Sequence, residues 1–126
     1  MKLQIKPLGA DSTLFLLEGE FDFSDKERMN AAVDEAAGAG SKWLLLDMSG
    51  VSYTDSVAVG TLIRGAKLVT PRGGDVAVIG AQPQVSRIFE ISGTKELLNV
   101  VGTLEDARVR LGIPTEGSSC ADGEEG

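Results

Sequence analysis

Two short and uniformly apolar runs, Trp43 to Met48 and Val76 to Ile79, flank a longer segment whose apolar residues recur at helical spacing. In that segment Val59, Leu62, Ile63, Ala66 and Val69 form one stripe, with Arg64 and Lys67 outward, until Pro71-Arg-Gly-Gly74 breaks it. A third helical pattern follows, with Pro83 near its start and Val85, Ile88 and Phe89 inward, and closes at Gly93 before the apolar stretch Leu97 to Val101. Strand, helix, strand, helix and strand amount to two successive crossover units, whose strands must run parallel with right-handed connections. Trp43 to Met48 is too short and too evenly apolar for a surface helix, so it is expected at the centre of the sheet, covered on both faces. The fold class is α/β.

Upstream, Leu3 and Ile5 alternate with polar neighbours, and Thr13 to Leu17 follows the turn Gly9-Ala-Asp-Ser12, which predicts an antiparallel hairpin and makes the sheet mixed. Ser24 with Glu27 three residues on reads as a capping box for a first helix carrying Met29, Ala32, Val33, Ala36 and Ala37, ended by Gly38 to Gly40. Thr103 is placed to cap a last helix, Leu104 to Leu111. The chain therefore divides into one domain with about four helices over residues 1–112 and an acidic tail, 113–126, with no apolar periodicity and no basic residue; the tail is expected to be disordered.

Twelve Lys plus Arg against nineteen Asp plus Glu give a net charge of −7, which opposes binding to nucleic acid or an anionic membrane. The apolar runs are far short of the ~20 residues a membrane helix needs, and residues 1–6 lack a secretory apolar core, so a cytoplasmic location is expected. The chain has no histidine, and its single cysteine, Cys120, lies in the tail. Ser-His-Asp and Cys-His nucleophile systems, a disulfide within the chain and a thiolate metal cluster drop out together, and no metal or cofactor is expected.

The chemistry concentrates at Asp55-Ser56, where the central strand gives way to the second helix. The first backbone N–H groups of a helix lack intrahelical partners and the helix dipole favours negative charge there, so a serine at this point can carry a phosphate. A helix N-cap, worth ~1 kcal/mol, accounts equally for the residue types.

At these residues the chain resembles a known family. Gly19-Glu-Phe-Asp22, Leu44-Leu-Leu-Asp-Met-Ser-Gly-Val51, Asp55-Ser56 with Gly60, and Arg87-Ile-Phe-Glu-Ile-Ser-Gly93 look, in order and spacing, like STAS domains of the bacterial anti-sigma factor antagonist type, over about residues 2 to 111. The resemblance implies a binding domain rather than an enzyme. Ser56 would be the phosphoacceptor of a partner kinase that is also an anti-sigma factor: the unphosphorylated antagonist binds the kinase and releases a sigma factor, the phosphorylated form lets go, and a separate phosphatase resets it. Asp55, Ser56, Val57 and Ala58 would lie in the docking segment, and Asp22 on the same surface. The family usually continues Asp-Ser with Ser, Thr or Ala and then Gly-Leu-Gly, whereas here Val57-Ala58-Val59-Gly60 follows, which sets a Cβ at Ala58 where a partner backbone comes close.

Other readings compete. A STAS scaffold that does not switch keeps the fold and the partner. A receiver-type response regulator would carry its phosphate on Asp47, at the end of the apolar strand, but needs an acidic pair for magnesium that Met1 to Gly9 does not supply; capping at a strand exit explains Asp47 better. A hydrolase on Ser56 has no Gly-x-Ser-x-Gly elbow and no histidine base. Phe21 and Phe23, flanking Asp22, are candidates either for apolar docking contacts or, for at least one of them, for the core.

Overall fold

The computed structural model describes residues 1–113, so the expected tail and Cys120 lie outside the described residues apart from Ile113 itself. Strand β1 (Lys2–Pro7) pairs antiparallel with β2 (Ser12–Phe21), and β2 then pairs parallel with β3 (Trp43–Thr54). Strand β4 (Asp75–Ile79) and the two-residue β5 (Val100–Val101) continue the parallel part, giving one sheet in the order β1-β2-β3-β4-β5. Helices α1 (Lys26–Gly38), α2 (Ser56–Val69) and α3 (Pro83–Ile91) form the crossovers, and α4 (Leu104–Leu111) follows β5. The two expected crossover units are present, and α1 between β2 and β3 adds a third.

Phe15, Leu17, Phe21, Leu44, Leu46, Met48, Val76 and Val78 turn to one side of the sheet and pack with Met29 and Val33 of α1, Val59 and Leu62 of α2, and Val85 and Phe89 of α3. Leu45, Ala77 and Ile79 turn to the other side, where Ala107 of α4 covers them. A Cβ at Gly65 would meet Leu44 and Val33 at 3.4 Å, so glycine lets α2 sit close to both β3 and α1. Arg64 joins the two helices outside the core through Asp34, at 2.7 Å.

Three elements differ from the sequence expectation. Strand β3 runs to Thr54, with no loop between it and Asp55. Its pairing with β2 slips twice, Leu16 to Glu18 facing Asp47 to Gly50 and Gly19 to Glu20 facing Val51 to Tyr53, so β3 carries one extra residue at each place. Such bulges break the alternation of buried and exposed side chains that marks a strand. The capping box also lies elsewhere than at Ser24 and Glu27: Asp22 accepts from the Ser24 N–H, and Asp25 reaches back to the Asp22 N–H at 3.2 Å, around the 3-10 turn Phe23–Asp25 that precedes α1. Of the stretch Leu97 to Val101 only Val100–Val101 is strand. Thr103 caps α4 as expected, accepting from the Asp106 N–H.

Candidate functional site

Strands β2, β3 and β4 are parallel, so their C-terminal ends share one edge of the sheet, the edge where α/β folds place their sites. The last register pair of β2 and β3 is Phe21 with Thr54. The next residue on each strand is an aspartate, so Asp22 and Asp55, distant in sequence, emerge side by side.

Each aspartate organises the backbone that follows it. Asp22 Oδ1 accepts from the Ser24 N–H at 3.0 Å and from the Ser24 hydroxyl at 2.6 Å. These two bonds, the hydroxyl's first, hold the Asp22 carboxyl below its ordinary value, because they favour the charged form. Asp55 adopts an extended backbone and uses both carboxylate oxygens. Its Oδ1 accepts from the Ala58 N–H at 2.8 Å, capping α2, and its Oδ2 accepts from the Phe23 N–H at 3.0 Å. The second bond reaches back to the 3-10 turn after β2. Beneath it, buried Asp25 pairs with Arg28 at 3.4 Å.

Ser56 begins α2 and is exposed, and its hydroxyl engages no partner among the described residues. The segments that meet at this end of the sheet also expose large apolar side chains: Phe23 is 67% exposed, Tyr53 51% and Val57 42%. Asp22 and Asp55 are half-buried. On the other flank Gln82 donates to the Ser49 carbonyl at 2.9 Å, tying the start of α3 to β3.

Of the residues singled out from the sequence, Asp22, Asp55, Ser56 and Val57 therefore share one surface. Ala58 does not. It is fully buried, and its Cβ meets the core rather than any incoming backbone, because it faces the sheet together with Leu62 one turn on. The two phenylalanines part in the same way, Phe21 into the core and Phe23 to the surface. Asp47 is not at a strand exit but within β3, where its Oδ1 accepts from the Ser49 N–H at 3.0 Å and from the Ser49 hydroxyl at 2.7 Å at the first bulge. Sequence reasoning missed Asp25 and the bond from Phe23 to Asp55. The first was signalled by the Asp22-x-x-Asp25 spacing, whereas the second depends on strand register and leaves no local mark.

The STAS domain family model matches residues 5–107. An anti-sigma F factor antagonist from Paenibacillus polymyxa is 25% identical over 115 residues, covering 90% of this chain and 98% of the relative. The structure of the anti-sigma factor antagonist SpoIIAA in its unphosphorylated form is similar with a TM-score of 0.78 at 24% identity, covering 90% of this chain and 99% of that one. The Bacillus cell fate determinant SpoIIAA in the phosphorylated form gives 0.69 at 20% identity, covering 87% and 99%.

Proposed function

Because the chain belongs to the STAS domain family, we propose that it is an anti-sigma factor antagonist controlled by phosphorylation of Ser56. With Ser56 unmodified it binds a serine kinase that is also an anti-sigma factor, and so frees a sigma factor. With Ser56 phosphorylated it dissociates, until a phosphatase removes the group. It acts in the cytoplasm by binding and catalyses no reaction itself.

The observation that carries this reading is the exposed Ser56 at the head of α2, next in sequence to half-buried Asp55 and exposed Val57 and joined through the Phe23–Asp55 bond to the turn that carries Asp22 and the exposed Phe23. A kinase active site has access to the Ser56 hydroxyl. Phosphoserine adds about −1.5 to −2 charges and three acceptor oxygens. Placed beside Asp55 and Asp22, that charge makes the face strongly anionic where a partner would have to strip water from it. A loss of about 2.8 kcal/mol at the interface weakens binding about a hundredfold, with no change of fold required.

The test is to incubate the purified protein with ATP and candidate serine kinases from its source, and to read the intact mass. We expect one phosphate on the wild type and none on Ser56→Ala. No gain in the wild type, or an equal gain in the variant, rejects the switch and leaves a STAS scaffold. Ser56→Asp should weaken binding to the kinase while the melting temperature stays nearly unchanged, and a loss of folding would instead make the residue structural.

A further inference from the structure

Asp55 satisfies the helix it begins and, through its other oxygen, a turn that belongs to a different crossover unit. The turn is held together by its own bonds. Asp22 holds Ser24, Asp25 reaches back to the Asp22 N–H, and the Asp25 N–H donates to the Asp22 carbonyl at 2.9 Å. Beyond the β2–β3 ladder, and among the described residues, the bond from Phe23 to Asp55 is the one hydrogen bond tying this preformed unit to the head of α2. It is also the more exposed and the longer of the two that Asp55 accepts, 3.0 Å against 2.8 Å. Phe23 carries the most exposed aromatic side chain of this face.

We propose that Asp55 is a positioning residue that relays the state of Ser56 to the Phe23 turn. A phosphate on Ser56 draws on the first-turn N–H groups of α2 that Asp55 leaves free beside the Ala58 N–H it caps, and its charge repels the neighbouring carboxylate. The carboxylate keeps one attachment and gives up the weaker, so the Phe23 N–H is released to water and the turn shifts as a unit. The docking surface is then altered in shape as well as in charge. In the unmodified protein the same bond holds the turn that carries the exposed Phe23 against the head of α2.

This relay rests on the reading of Ser56 as the modified residue, and its test is arranged to be independent of any kinase. Phosphoserine is installed at position 56 of the full chain during translation, and NMR follows two signals: amide exchange at Phe23 and the through-hydrogen-bond coupling between the Phe23 amide nitrogen and the Asp55 carboxylate carbon. The unmodified chain should show the coupling. The phosphoserine chain should lose it and exchange the Phe23 amide at least about tenfold faster, while core amides such as Phe15 and Leu46 stay unchanged. Asp55→Asn, whose single carbonyl oxygen can cap Ala58 but not also serve Phe23, should free the Phe23 amide without any phosphate, and phosphoserine should then add nothing at Phe23. The same coupling and exchange in modified and unmodified chains overturns the relay, as does an equal phosphoserine effect with Asn at position 55. Should the phosphoserine chain fail to fold, Ser56→Glu carries the same comparison, and an unchanged Phe23 amide there counts against the relay. Failure of the kinase assay alone would sink the switch and leave the coupling of Asp55 to Phe23 standing.

Discussion

Two aspartates at the ends of neighbouring strands do different work with the same chemistry. Asp22 serves its own turn through Ser24, whereas Asp55 serves two segments. The carboxyl of Asp22 titrates below its ordinary value of 3.8 because the Ser24 hydroxyl and N–H both donate to its charged form. A depressed carboxyl pKa contributes stability that is present above the unfolded value and is lost as pH falls through the folded one. An NMR titration of the Asp22 side-chain carbon should therefore find a midpoint below that of an unstructured aspartate, and Ser24→Ala should move it up toward the ordinary value. A midpoint that ignores the substitution would mean that the Ser24 hydroxyl does not hold the charge. At this scale the sequence was legible for Asp55, Ser56 and Val57, whose positions follow from where a helix begins. It misled at Ala58, because a docking role was inferred from a motif position, while the helical repeat itself, Ala58 to Leu62 to Ala66, already assigned that side chain to the core.

Among the elements, the crossover helices were legible from their apolar periodicity and the first half of β3 from its short apolar run. The second half of β3 was not, since Ser49, Gly50, Ser52 and Tyr53 are exposed and two bulges scramble the alternation that would have marked them as strand. The consequence matters for the site: Asp55 is delivered by a paired strand rather than by a loop, so its carboxylate starts from a fixed backbone. Where elements join, backbone proximity rather than periodicity sets the residue. At the start of β4 a Cβ on Gly74 would lie 1.8 Å from the Lys42 carbonyl oxygen, which is itself fixed by the Asp75 N–H at 2.9 Å. Gly74→Ala should cost at least the upper end of the about 1–3 kcal/mol typical of overpacking, read as a fall in the denaturant midpoint. Gly60→Ala is the matched control. Position 60 is helical and exposed with nothing within 4 Å of the added Cβ, so alanine there should stabilise by up to about 1 kcal/mol.

Across the whole molecule, a surface that changes its charge state can leave the fold untouched only if the side chains it uses are not the ones that hold the sheet to its helices. The register of β2 and β3 brings this division within two residues. Phe21 is completely buried against the α1–α2 side of the sheet, and Phe23 is 67% exposed on the turn bonded to Asp55. Sequence alone could not separate them, because both flank the same aspartate and a 3-10 turn that begins at Phe23, rather than continued strand, turns the chain outward. Phe21→Ala should therefore cost about 3–5 kcal/mol through the cavity it leaves, whereas Phe23→Ala should stay within about 0.5 kcal/mol of the wild type. Equilibrium denaturation of the two variants measures both. The proposed kinase interaction should respond in the opposite order once each variant is kept well below its unfolding midpoint: truncating Phe23 removes an exposed side chain of the proposed docking face, while truncating Phe21 leaves that face intact. Equal losses of stability would mean that Phe23 is part of the core after all, and that the proposed docking surface and the fold cannot be changed independently.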